Sequence, residues 1–155
     1  MATTDLKLQR FDPAAAKPHR VWLIIGSRGS GKSMLLRDIL CKTKGFFDWG
    51  VAMTATHATA QDLETFFPPP FIHRNGYCFE NADKLLRFSK DCVEKGRPRR
   101  TLLLLDDCAF DDKVMKSDAM KEIHLNGRHA QVSLISTTQY CLTVSPLLRA
   151  NIDYA

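Results

Sequence analysis

The chain has no long apolar run: its longest unbroken hydrophobic stretches are five residues or fewer, far short of the roughly 20 that a bilayer-spanning helix needs. Residues 1–10 hold no apolar segment of the kind that directs secretion, so the chain is expected to stay in the compartment where it is made. The five cysteines, at 41, 78, 92, 108 and 141, are odd in number and form no C-x-x-C pair. That argues against a disulfide framework or a zinc site and for a reducing interior. Cys41, Cys92 and Cys108 are expected within or beside core elements, where a thiol behaves as a small hydrophobe. The histidines at 19, 57, 73 and 124 lack metal-ligand spacing. No [NT]-K-x-D sequence is present to read a guanine base, and no internal repeat or long low-complexity stretch occurs.

What is present describes one globular domain of 155 residues, 45% of them apolar and 25% charged. The net charge of +5 favours an acidic partner such as nucleic acid, although charge alone does not separate a DNA binder from other basic proteins.

The most informative segment is Gly26-Ser27-Arg28-Gly29-Ser30-Gly31-Lys32-Ser33, which fits G-x-x-x-x-G-K-[ST] and follows the apolar run Val21-Trp22-Leu23-Ile24-Ile25. Glycines let successive backbone N–H groups turn inward on phosphate oxygens, and the positive end of the following helix adds to the attraction for a polyanion. Residues 26–33, with Met34 just beyond them, are therefore the expected nucleotide-binding segment. Lys32 would reach the β- and γ-phosphates, and the Ser33 hydroxyl would ligate Mg²⁺.

Along the chain, residues 1–20 are polar, Pro/Ala-rich and dotted with Arg10, Lys17 and Arg20, and read as a flexible lead-in. The domain proper is expected over 21–155. Strand 21–25 enters the loop, and a helix from about Lys32 to Cys41 carries Leu35, Leu36, Ile39 and Leu40. A strand follows near Trp49 to Thr54, then a short helix, Ala60 to Phe67, capped by Thr59 and stopped by the prolines at 68–70. Asn81 is the expected cap of the next helix, which presents Leu85, Leu86, Phe88, Cys92 and Val93 and closes at Gly96. Thr101 to Asp107 contains four consecutive leucines with no polar alternation, the pattern of a strand covered on both faces. A helix from Ser117 to Leu125, a strand from Val132 to Ser136 and a short helix opened by Ser145-Pro146 complete the pattern. Strands alternating with helices give an α/β fold with a mainly parallel sheet and helices on both faces, the phosphate loop lying at its carboxyl edge.

Hydrolysing a nucleoside triphosphate also needs a held Mg²⁺, an aimed water and neutralised charge. Asp106 and Asp107 end the leucine strand, and because side chains alternate along a strand the two cannot share one job. Asp106 is assigned to the Mg²⁺ shell and Asp107 to the attacking water as general base. Asp111 and Asp112 are read as capping or solubilising the next helix. If the strand before Gln139 lies between the phosphate-loop strand and the Asp106 strand, Gln139 would reach the γ-phosphate or the water; otherwise it is an ordinary polar residue at the sheet edge. Arg28, Arg128 and Arg149 compete to stabilise the transition state. Arg149 is preferred as a residue supplied by a neighbouring subunit, with a surface salt bridge as the plain alternative. His129 is read as structural. Arg97, Arg99 and Arg100 either grip DNA phosphates or form a solvated linker.

The ordered set G-S-R-G-S-G-K-S, L-L-L-L-D-D-C, N-G-R-H followed by S-L-I-S-T-T-Q, and L-L-R-A-N-I-D-Y resembles the DNA-packaging ATPases of nucleocytoplasmic large DNA viruses. These are the poxvirus-type members of the FtsK/HerA clan of P-loop motors. The resemblance covers about residues 20–154 and implies a RecA-like core that binds ATP and Mg²⁺, assembles as a homo-oligomeric ring and moves double-stranded viral DNA into capsids. It further implies action in the host-cell cytoplasm or the virion, with capsid or membrane proteins as partners. Lys32, Ser33, Asp106, Asp107 and Gln139 match the family's phosphate, metal, acid-pair and sensor positions. The family continues beyond the strand that Asn151-Ile152-Asp153-Tyr154 enters, so the chain reads as truncated. A nucleotide-binding module without motor action is the alternative. A small-molecule kinase of the same fold would need an arginine-bearing lid, which no segment after the Asp106 strand supplies.

Overall fold

Alternate residues of the leucine run go to opposite sides of a parallel sheet: Leu103 and Leu105 join one buried cluster, Leu102 and Leu104 the other, and all four are at most 3% exposed. A strand that must satisfy apolar surroundings on both faces cannot carry polar alternation. The structure, a computed structural model, describes residues 10–108, 111–140 and 145–155.

The strands are β1 (Val21–Ile25), β2 (Trp49–Thr54), β3 (Ile72–His73), β4 (Thr101–Asp106) and β5 (Val132–Thr138). They lie in the order β1-β5-β4-β2-β3, every pair parallel. The helices are α1 (Lys32–Lys42), α2 (His57–Leu63), α3 (Phe79–Glu94), α4 (Asp112–Met115), α5 (Asp118–Asn126) and α6 (Pro146–Arg149). Leu36, Ile39 and Leu40 of α1 and Ala60 and Leu63 of α2 cover one face of the sheet. Leu85 of α3, Val114 of α4 and Met120 and Ile123 of α5 cover the other. This is the expected α/β core with helices on both faces. Among the described residues no helix is long and apolar enough to cross a membrane.

Several boundaries differ from the sequence expectation, each for a local reason. Helix α2 begins at His57 and is capped by Thr56, not Thr59: Thr56 has the extended backbone a cap requires, and its hydroxyl accepts the Thr59 N–H at 3.4 Å. The helix ends at Leu63, short of the expected Phe67. Asn81 lies in the first turn of α3, whose cap position is Cys78 and makes no side-chain cap bond. Phe88 is 49% exposed and Cys41 is exposed on α1, so neither belongs to the core. Strand β5 runs on to Thr138 instead of stopping at Ser136, because β1 flanks it that far, pairing Ile25 with Thr138. Asp111 does act as a cap, accepting the Lys113 N–H at the start of α4.

Within the stretch read as a flexible lead-in, residues 10–20 lie against the core. Pro13 and Ala16 are buried, and Phe11 stacks near Trp22 and Tyr154 with ring centroids 5.7 and 5.1 Å away. The segment after α6 reaches the free edge of β1: Val21 O accepts from Asp153 N–H and Tyr154 N–H, and Leu23 N–H donates to Tyr154 O at 2.8 Å. Asp153 reinforces this clip by accepting from Val21 N–H and Arg20, each at 2.9 Å, and from Arg128 at 2.5 Å.

Candidate functional site

The carboxyl ends of β1, β5, β4 and β2 carry, in that spatial order, the phosphate loop, Gln139, the acid pair and the Thr54–Thr59 segment. The loop leaves β1 with Gly26 N–H donating to Thr138 O of β5 at 3.2 Å, which ties its first residue to the neighbouring strand. Gly29 and Gly31 have φ values of +76° and +91°, a region that side chains disfavour, and Gly31 is the cap residue of α1. The glycines of the motif are thus placed where the backbone turns back on itself before the helix. Lys32 opens α1 and folds over the loop, its Nζ donating to Gly26 O at 2.6 Å and Ser27 O at 3.0 Å. Ser33 lies in the first turn of α1 and is exposed, as are Ser27, Arg28, Ser30 and Met34.

Strand β5 does separate β1 from β4, which is the condition on which a role for Gln139 depended. Its side-chain amide donates to Asp107 Oδ2 at 2.9 Å. Asp106 and Asp107, though adjacent, sit in different surroundings. Asp106 is 9% exposed and pairs in register with Thr137 of β5 and Thr54 of β2. Burial pushes its carboxyl up. Hydrogen bonds from Thr137 and Thr59 and the charge of Lys32 pull it back, while the neighbouring Asp107 adds to the upward push. Asp107 is half-buried with φ +50°, so the chain takes a left-handed step immediately after the strand. Cys108 turns inward, its Sγ donating to Met53 O at 3.3 Å, and burial pushes its thiol up to about 12, which makes it an inert part of the core.

Two hydroxyls that sequence reasoning passed over are therefore part of the site. Thr137 Oγ1 donates to Asp106 Oδ1 at 2.8 Å and accepts the Asp107 N–H at 2.9 Å. The Thr59 hydroxyl, at the amino end of α2, is near enough to the same carboxylate to favour its charged form. Threonine is an ordinary strand residue, so nothing in the local pattern marked Thr137; only the β4–β5 register does.

The three competing arginines are separated by their surroundings. Arg128 is engaged with Asp153, Arg28 is exposed on the loop and Arg149 is exposed at the end of α6. In the basic cluster Arg100 is a structural clamp, donating to both Asp48 oxygens and to Gly45 O, while Arg97 and Arg99 are exposed. A cavity of about 740 Å³ lies away from the acids and the loop, lined by Trp49, Phe71, Phe88 and their neighbours.

The residues fit a magnesium nucleotide: a loop with its turns made by glycine, an ammonium over it, a hydroxyl at the helix start and a nearly buried carboxylate on the strand beyond.

Among solved structures the fold is similar to that of B204, the DNA-packaging ATPase from Sulfolobus Turreted Icosahedral Virus, at 19% identity and TM-score 0.65, covering 88% of this chain and 73% of B204. It is also similar to EssC (ATPases 2 and 3) from Geobacillus thermodenitrificans at 16% identity and TM-score 0.65, covering 87% of this chain and 32% of that one. These likenesses establish an α/β RecA-like core. Protein 075L of Invertebrate iridescent virus 6, itself uncharacterized, is 31% identical over 132 residues, or 84% of this chain and 51% of the relative. Protein L437 of Acanthamoeba polyphaga mimivirus, also uncharacterized, is 29% identical over 164 residues, covering 97% and 53%. The chain thus spans about half the length of the curated relatives it matches. The family described as Poxvirus A32 protein matches residues 9–155, nearly the whole chain, and the chain belongs to that family.

Proposed function

We propose that this chain is the nucleotide-hydrolysing part of a DNA-packaging motor. The observation that carries the reading is the convergence, at one edge of the sheet, of the phosphate loop, the Asp106–Asp107 pair and Gln139, with β5 interposed between the first two. Membership of the poxvirus A32 family supports it, as does the fold shared with B204, the DNA-packaging ATPase, and with the genome packaging NTPase B204 from Sulfolobus turreted icosahedral virus 2 in complex with AMPPCP.

Residues 26–34 would hold the triphosphate through backbone N–H groups, with Lys32 exchanging its present carbonyl partners for phosphate oxygens. Ser33 and Asp106 would hold Mg²⁺, whose charge offsets the negative charge that develops on the phosphoryl oxygens. Asp107 is the general base for the attacking water, and Gln139 orients Asp107 and reports the γ-phosphate. Arg149, exposed on α6, is assigned to a neighbouring subunit's site in a ring, and the net charge of +5 suits a double-stranded DNA partner. Action in the host-cell cytoplasm or the virion, beside capsid or membrane proteins, follows from the same reading.

Steady-state ATP hydrolysis with Mg²⁺, with and without duplex DNA and over a range of protein concentrations, tests it. The rate per subunit should rise with concentration and with DNA, and fall about a hundredfold or more in Lys32→Ala. ATP binding without turnover above background under all these conditions would reduce the chain to a binding module. Unchanged turnover in the Lys32 variant would remove the reading altogether.

A further inference from the structure

The two acids of the site share the Thr137 hydroxyl, and a second pair of hydroxyls, Thr56 and Thr59, lies near one of them. Thr56 Oγ1 donates to Thr59 Oγ1 at 2.8 Å. A hydroxyl has one proton, and because Thr59 accepts this bond its own proton stays available for the nearby Asp106 carboxylate, whose charged form it favours. Thr137 uses its one proton on Asp106 Oδ1 and a lone pair on the Asp107 N–H.

We propose that Thr137 is a positioning residue for both acids at once, with Thr59 as a second hydroxyl that fixes the metal-binding carboxylate. This rests on the nucleotide-hydrolase reading of the same site. Thr137 is 1% exposed and sits opposite Asp106 in the β4–β5 ladder, so its hydroxyl cannot turn to water. By accepting the Asp107 N–H it also anchors the left-handed step at φ +50° that turns the chain after β4. One group thus sets the side-chain angle of the metal ligand and the backbone of the base. Partners behind a metal ligand orient it, and losing them costs about 10- to 100-fold in metal affinity or activity. Thr59 adds a mechanical link, because it belongs to α2 and not to the sheet: a shift of α2 would be felt at Asp106.

The test compares Thr137→Val, which keeps the β-branched shape and deletes the hydroxyl, with Thr137→Ser, which keeps the hydroxyl. Mn²⁺ affinity of the AMPPCP complex is measured by electron paramagnetic resonance, and AMPPCP affinity in EDTA by calorimetry. Thr137→Val should weaken Mn²⁺ about tenfold or more, leave metal-free nucleotide affinity within about twofold, and be rescued by Thr137→Ser. A merely structural threonine would lower the melting temperature without moving Mn²⁺ affinity, and that result overturns the proposal. Thr59→Val, at a half-exposed position, should weaken Mn²⁺ in the same direction and decides the matter if Thr137→Val does not fold. If the unsubstituted chain binds AMPPCP and Mn²⁺ and both valine variants match it, the proposal fails and the hydrolase reading stands. If the unsubstituted chain binds no nucleotide, both fail together.

Discussion

Gln139 Nε2 lies 2.9 Å from Asp107 Oδ2 and donates to it across the seam between the ends of β5 and β4. In the proposed mechanism this puts the general base in the grip of the residue that senses the nucleotide. Gln139→Ala should lower kcat about tenfold or more while changing the KM for ATP little, because the proposed site holds ATP elsewhere, on the loop. Gln139→Glu should be worse than alanine, since it sets a like charge against Asp107. Single-turnover and steady-state hydrolysis on both variants check this; equal rates for alanine and glutamate would show that the contact does not orient the base.

Leu104 is fully buried in the cluster that α1 and α2 cover. Leu104→Ala removes its packing and leaves a void in a strand with neighbours on both edges, at a cost of about 2–5 kcal/mol. Urea denaturation followed by circular dichroism measures it. Leu125, 46% exposed on α5, is the control, and alanine there should cost well under that range.

Asp48 is held down at about 2, against an ordinary 3.8, chiefly by its hydrogen bonds from the Arg100 side chain and backbone. The folded form thus keeps Asp48 charged to lower pH than the unfolded chain does. Its contribution is complete above the unfolded value and is lost as pH falls toward 2. The contribution is small because both side chains of the pair are partly exposed, at 29% and 45%. The stability difference between the parent and Asp48→Asn should shrink as denaturation is carried from about pH 5 to about pH 2.5, and a difference that widens would contradict the sign.

Asp153 joins Val21 N–H, Arg20 and Arg128. Asp153→Ala leaves a strand N–H and two guanidiniums without this partner and should destabilise the chain by about 1–3 kcal/mol. Hydrogen exchange gives the sharper check: the Leu23 amide, which donates to Tyr154 O, should lose protection before amides of β4 do.

Much of this arrangement was legible in the residues. Four leucines without alternation required two apolar faces, and the glycine spacing before Lys32 required a turn into a helix. Strand order was not legible, because a buried parallel strand looks the same at any place in the sheet; the position of β5 between β1 and β4 comes from packing. The cap of α2 was misread by one turn because Thr56 and Thr59 are equally good hydroxyl caps, and only the backbone angles distinguish them. The start of α3 carried no signal, since Cys78 makes no cap bond. Thr137 was invisible for a different reason: its importance is a relation to Asp106, which lies 31 positions earlier.

The strand that bears the phosphate loop is the first of the five described strands to be synthesised, yet both of its backbone edges are matched by segments made far later, at 132–138 and 153–154. The loop's own tether, from Gly26 to Thr138, spans the same distance. Closing such distant pairs costs loop entropy before any contact is gained. Competence to grip a nucleotide is therefore acquired late in translation, and a nascent chain released before residue 138 would carry the whole glycine-lysine signature with nothing to hold it in shape.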